Sequence, residues 1–220
     1  MSNLQLDSRS GLWYRPERLD LSIIKEQTFN KNLNFTPADT MLDLGAHIGS
    51  TAKLALDAGI GFVICVEPEP DNFRMLQHNL AAYPNVWLYH AAVVAKTHTA
   101  STVNLFVNSG KGGASHSLYA VNRRQTISVP AWKFHTLVWG WRPTILKIDI
   151  EGYEFELLED MDGISEFVRA ISLEIHTSKP EWAEQVPVLR ERLGRQYHQR
   201  NPDKKIIAGR FGRPTIWYRS

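Results

Sequence analysis

Asp149, Glu151 and His176 are the residues of this chain whose types and placement best suit proton chemistry. Asp149 closes the apolar run Thr144 to Ile148, Glu151 follows just before Gly152, and His176 closes the run Ala170 to Ile175. Two carboxylates and an imidazole at the ends of strands could align a hydroxyl and take its proton, and an imidazole of near-neutral pKa suits the base role. These three are the candidate catalytic residues, with His176 as general base. Together they could share a divalent cation such as Mg or Mn; the metal-free base is the favoured reading. Lys147 points to the same face as Asp149 in a regular strand, so it reads as a structural ion-pair partner. The other seven His are scattered, with no i, i+4 ligand pair.

A second constellation lies earlier, in Asp43-Leu44-Gly45-Ala46-His47-Ile48-Gly49, where an apolar run passes into a helical pattern at Ser50. Glycines there permit a tight turn and let a ligand reach main-chain amides, and a helix start favours a negative group. His47 stands where a dinucleotide fingerprint needs its second Gly, and no Gly-Lys-Ser/Thr follows, so neither a pyrophosphate nor ATP is expected. Glu67 ends the next apolar run, 22 residues after Gly45, the place of an acid that accepts from ribose hydroxyls. A phosphate-free ligand with a ribose and an amino-acid end, such as S-adenosylmethionine, satisfies both observations. Strand-end capping by Asp43 and Glu67 is the bland alternative.

The elements that position these residues alternate. Met41 to Leu44, Phe62 to Val66, Val86 to His90, Thr144 to Ile148 and Ala170 to Ile175 are short, continuously apolar runs, as expected of strands covered on both faces. Ser50 to Ala58, Pro70 to Ala82 and Tyr153 to Met161 carry helical spacing between them, which predicts βαβ units and a doubly wound parallel sheet. Ser101 to Val107 and Gln125 to Ala131 alternate apolar and polar residues, as in an antiparallel hairpin inserted over 101–131. Its tip, Asn108 to Tyr119, has the composition of an acceptor-binding lid. Lys205 to Ala208 and Thr215 to Tyr218 suggest a closing antiparallel pair. Residues 1–12 read as a loosely held, flexible arm and 13–220 as one domain, which 220 residues with 43% hydrophobic content can fill.

Three segments resemble the FkbM-type S-adenosylmethionine-dependent methyltransferases: Leu42 to Gly49 (LDLGAHIG), Val66 to Leu80 (VEPEPDNFRMLQHNL) and Ile145 to Glu154 (ILKIDIEGYE). Weaker likeness comes from Tyr14, Arg15, Pro16 and Asp20, from His90 to Ala92, and from Glu174 to His176. The resemblance implies a seven-stranded Rossmann-like sheet, mostly parallel with an antiparallel C-terminal strand. It also implies methyl transfer from S-adenosylmethionine, giving S-adenosylhomocysteine. It assigns Asp43, Gly45 and Gly49 to the methionine end, Glu67 to the ribose, and the stretch His90, Ala91 and Ala92 to the adenine region. With the loop neighbours Ala46, His47, Ser50 and Pro68, and with Asp149, these make up the candidate cofactor contacts. His47 departs from the Asn usual in relatives, and Phe134-His135 from their Leu-Asp.

The expected reaction is O-methylation of a hydroxyl on a small molecule or sugar. Nine Lys or Arg against two acids in 190–220 keep a nucleic-acid methyltransferase as the alternative, although two acids after the fourth strand would repel phosphates and nucleic acid is not the expected partner. A non-catalytic cofactor-binding module is a third reading; it predicts loss of Glu67 or of the glycine loop, and both are present. A single cysteine, Cys65, no secretory leader at the start and no apolar run of membrane-spanning length lead to the expectation of a cytoplasmic protein.

Overall fold

The computed structural model describes residues 3–26, 33–107, 117–119, 125–176, 180–199 and 215–219. A hairpin of β1 (Gln5–Asp7) and β2 (Leu12–Tyr14) leads into α1 (Asp20–Glu26). The wound part follows as β3 (Thr40–Leu44), α2 (Ser50–Asp57), β4 (Phe62–Glu67), α3 (Pro70–Leu80) and β5 (Val86–His90). Then come β6 (Ala92–Val94), β7 (Thr102–Val107), β8 (Gln125–Lys133), α4 (Phe134–Trp141) and β9 (Ile145–Ile148). The chain finishes with β10 (Ala170–Leu173), α5 (Pro180–Gly194), β11 (Tyr197–Gln199) and β12 (Thr215–Arg219).

Seven strands form the central sheet in the order β11-β12-β10-β9-β3-β4-β5. β12 is antiparallel to both neighbours, and the five strands from β10 to β5 are parallel. The expected α/β fold, with its antiparallel late strand, is therefore the one observed. From β3 the chain winds outward through β4 and β5, and from β9 it winds the other way through β10. The carboxyl ends of β3 and β9 thus lie at the reversal of strand order, where open α/β sheets hold their ligands.

Alternate residues of each parallel strand bury against opposite helical layers. Leu42, Leu44, Ile64, Val66, Leu146 and Ile148 pack with Phe134 and Leu137 of α4 and Leu189 of α5. Met41, Val63, Cys65 and Ile145 pack with Ala52 and Leu56 of α2 and Leu76 and Leu80 of α3. Burial on both faces explains why these strands read as unbroken apolar runs. α3 starts where expected because Glu69 accepts from the Asn72 amide at 2.7 Å and Pro70 occupies the first turn.

The predicted hairpin forms between β7 and β8, and β6 adds to β8 in parallel to make a separate three-stranded sheet. Most of the anticipated lid, residues 108–116, lies outside the described residues, as does Lys205–Ala208. The strand that pairs with β12 on its outer side is β11. The helix expected over Tyr153 to Met161 is a 3-10 helix at Phe155–Met161. The described part of the expected N-terminal arm is a hairpin instead. Leu12 is buried with Ile24, Ile48 and Met75, and the Trp13 backbone exchanges two hydrogen bonds with the Asn79 side chain, at 2.8 and 3.0 Å.

Candidate active site

A cleft of about 220 Å³ opens at the carboxyl ends of β3, β4 and β9. Gly45, Ala46, His47 and Ser50 form one side, Glu67, Pro68 and Ala91 another, and Asp149, Glu151 and Glu174 the far end. Nine sequence-derived residues therefore meet in one cavity. Asp43, Gly49, His90 and His176 are not among the lining residues: Asp43 is buried beneath the loop, Gly49 precedes α2, the His90 ring stacks on Phe73 with Nε2 3.0 Å from the Pro68 carbonyl, and His176 Nε2 lies 3.5 Å from the lining residue Glu151. Leu19, Ser22 and Ile23 also line the cavity, and so does Leu118. No chemistry-bearing motif marked the first three; the signal was their proximity to the Tyr14, Arg15, Pro16 and Asp20 likeness.

The turn after β3 is tightened by the Gly45 and Ala46 amides, which both donate to the Val66 carbonyl, at 3.0 and 3.1 Å. Gly45 has φ of 75°, and a Cβ there would fall 1.8 Å from the Asp149 carbonyl oxygen, so only glycine admits this approach of β3 to β9. His47 itself takes a left-handed φ of 52°. Its amide donates to Glu67 Oε2 at 2.8 Å, while the Glu69 amide and Asn72 Nδ2 donate to Oε1 at 3.0 and 3.3 Å. Burial outweighs these three bonds and raises the Glu67 pKa to about 7.

Asp43 and Lys147 are register partners across β3 and β9, which puts their side chains on one face. Lys147 Nζ lies 3.2 Å from Asp43 and 3.4 Å from Asp149, and donates to the Gly45 carbonyl at 2.7 Å. Burial opposes its charge, but Asp43 and then Asp149 outweigh burial and hold the ammonium protonated. The lysine thus stitches the glycine loop to the end of β9, as a structural ion pair would.

His176 Nδ1 lies 2.8 Å from Glu154 Oε1, and its Nε2 faces Glu151 at 3.5 Å and Asp149 and Glu174 at 3.9 Å each. The same Glu154 oxygen accepts from the Ile150 and Gly152 amides at 3.2 Å, fixing the loop in which Glu151 has φ of 57°. Burial disfavours a charged imidazole, yet Glu154, Glu151 and Asp149 overcome it and hold the His176 pKa well above its ordinary value. Glu174 is pushed upward by burial first and by Asp149 second. These carboxylate neighbours of His176 therefore favour the protonated form of the imidazole. Ser117 Oγ, from the end of the inserted loop, donates to the Glu151 carbonyl at 2.9 Å. Asp149, Glu151 and His176 each offer one donor atom within 4.8 Å of the others, the set among the described residues that could hold a metal ion.

The methyltransferase FkbM domain model matches residues 43–201. The chain is 22% identical over 175 residues to the hexuronic acid methyltransferase AglP of Haloferax volcanii, covering 78% of this chain and 70% of AglP. Its fold is similar to that of P. horikoshii TYW2, solved in complex with MeSAdo. The TM-score is 0.50 at 11% identity, over 98% of this chain and 69% of TYW2.

Proposed function

The chain belongs to the FkbM methyltransferase family, and on that premise we propose that it methylates a hydroxyl of a sugar or sugar acid. S-adenosylmethionine is its cofactor and supplies a methyl group on an already activated sulfonium. The residues fit it: the glycine loop leaves a bare backbone at the β3–β9 junction, and Glu67 brings to the cavity wall a carboxylate that only accepts when ionised. Gly45, Ala46, His47, Ser50, Glu67, Pro68 and Ala91 would hold it, with Asp149 close to the transferred group.

The observation that carries the acceptor reading is the cluster at the far end of the cleft. Methyl transfer needs the acceptor oxygen aligned and its proton removed. Glu151 lines the cavity and lies 3.5 Å from His176, whose raised pKa favours the protonated ring. The base we favour is therefore the Glu151 carboxylate. His176 supplies the neighbouring positive charge, and Asp149 is drawn aside by Lys147. With the cofactor bound, Glu151 would accept the proton of the acceptor hydroxyl, while the sulfonium would supply the methyl group and a neutral thioether leaving group. The sugar-acid acceptor of AglP supports a sugar hydroxyl here. In the basic C-terminal region, Arg192 pairs with Asp162, Arg195 with Glu191, and Arg219 donates to the Ser165 and Glu166 carbonyls, which favours an internal use for these cations. Among the described residues no helix is long and apolar enough to cross a membrane.

The test is a panel of hexuronic-acid and neutral-sugar glycosides incubated with purified protein and S-adenosylmethionine, read by S-adenosylhomocysteine release and by mass spectrometry of the glycoside. Methylation of at least one glycoside is expected; transfer only to RNA would replace the reading. Dialysis against EDTA should leave turnover within about twofold, whereas a loss restored by Mg or Mn would make Asp149, Glu151 and His176 metal ligands.

Glu67 supplies a separate check on the cofactor end. Glu67→Ala should weaken S-adenosylhomocysteine binding by roughly 1.5–3 kcal/mol, since hydrogen bonds to a charged group are lost. In the wild type, affinity should fall as pH drops through about 7, because the ribose hydroxyls need the ionised carboxylate as acceptor. The ligand-free protein should behave oppositely. A raised carboxyl pKa means the folded state holds the proton longer, so stability falls as pH rises from the ordinary 4.5 towards about 7. Calorimetry and urea melts across this interval read both; a flat affinity profile would remove Glu67 from the ribose.

A further inference from the structure

Glu67 belongs to a ring of side-chain and main-chain contacts that reaches outside the family-matched residues. Asn72 Nδ2 donates to Glu67 Oε1 at 3.3 Å, and Asn72 Oδ1 accepts from Arg15 Nη2 at 2.6 Å. Arg15 grips Asp20 through Nε at 2.8 Å and Nη2 at 2.9 Å, and its own amide donates to the same carboxylate at 2.9 Å. Asp20 Oδ1 faces His47 Nε2 at 3.6 Å, a charge contact longer than a hydrogen bond, and the His47 main-chain amide donates to Glu67 Oε2 at 2.8 Å. Arg15, Asp20, Glu67 and Asn72 are all buried. Chemistry fixes the direction of the circuit. Arginine can only donate, so it forces the Asn72 amide to present its oxygen to Arg15 and its NH2 to Glu67.

Arg15 and Asp20 precede residue 43, where the family match begins. Between them and just after them, Leu19, Ser22 and Ile23 line the same cavity as Glu67. The segment 14–26 is thus tied to the cofactor carboxylate on one side and walls the cavity on the other. The His47 side chain, on the glycine loop, faces Asp20 of this segment at 3.6 Å.

We propose that Arg15 and Asp20 are positioning residues of the cofactor site. Acting through Asn72 and His47, they hold the Glu67 carboxylate, so that segment 14–26 is a working wall of the cavity. The proposal rests on the cofactor reading above.

Calorimetric titration with S-adenosylhomocysteine tests it as a double-mutant cycle. In Arg15→Lys a single ammonium can stay on Asp20 but cannot also serve Asn72 in the same fork. Affinity is expected to fall about tenfold, and by less than about threefold when the substitution is made in Glu67→Gln, because the partner through which it acts is already changed. Equal losses in both backgrounds would overturn the proposal, since a purely structural arginine gives additive effects. Ligand-free melting curves separate stability from binding. If Arg15→Lys fails to fold, Asn72→Ala completes the cycle with the Arg15–Asp20 pair left intact. Independently, saturating S-adenosylhomocysteine should slow amide exchange across 14–26 in the wild-type protein; unchanged exchange there, with binding confirmed, overturns the wall. Failure of the wild type to bind S-adenosylhomocysteine at all is a different result, and it would bring down the cofactor reading and the ring together.

Discussion

Glu151→Gln is expected to lower turnover on the order of 100-fold to 10,000-fold while S-adenosylhomocysteine affinity stays within about twofold. Glutamine has nearly the same shape, so it should keep the loop whose geometry comes from the left-handed Glu151, the turn at Gly152 and the Glu154 carboxylate beneath them. What it cannot do is accept the proton of an acceptor hydroxyl. His176 is the poorer acceptor for that proton, because the carboxylates around it raise its pKa and favour the protonated ring. His176→Ala should also slow transfer without weakening cofactor binding, through loss of the positive charge beside Glu151. Turnover in Glu151→Gln within threefold of wild type would discard Glu151 as base and leave alignment alone, or Asp149, to account for the reaction.

The second large effect lies at Gly45. Gly45→Ala places a methyl group 1.8 Å from the Asp149 carbonyl oxygen, and neither side is free to retreat. The Asp149 amide donates to the Leu44 carbonyl at 3.1 Å, and the Gly45 amide is held by Val66. Adopting φ of 75° with a side chain costs about 1–2 kcal/mol, and forcing the contact about 1–3 kcal/mol more. Urea denaturation should therefore show a loss of roughly 2–5 kcal/mol, and the opened junction between β3 and β9 should no longer bind S-adenosylhomocysteine. Gly59→Ala is the control: its φ is 85°, but an added Cβ meets nothing within 4 Å, so only the backbone strain should appear. Equal stability losses in the two variants would show that the approach of the two strands is not what demands glycine at 45.

The parallel strands were legible in the sequence because burial on both faces makes each one continuously apolar, and β7 and β8 because one-sided burial makes them alternate. α4 was not, since Phe134 to Trp141 is aromatic and β-branched with a glycine inside, a composition that packing on the sheet overrides. The N-terminal hairpin was missed for a related reason: a three-residue strand has no period, and what fixes it is the distant Asn79. At the site, strand-end acids and glycine spacing identify Glu67, Asp149 and Glu151 from local pattern. Arg15 and Asp20 escape that logic because their partners, Asn72 and His47, are brought to them only by the tertiary fold. The raised pKa of His176 is equally invisible in the sequence, since it depends on the contact of its ring with Glu154.

β12 lies between β10 and β11, pairing Ala170 with Tyr218 on one side and Tyr197 with Arg219 on the other. An interior strand is thus made after both of its neighbours. During synthesis β10, whose four residues are all buried in the finished sheet, stands as an open apolar edge until 215–219 emerge from the ribosome. The nascent chain therefore passes through a period in which its sheet is a template for pairing with other chains, and a ribosome that stalls or terminates a few codons before 215 releases a product with two raw edges in place of one closed seam.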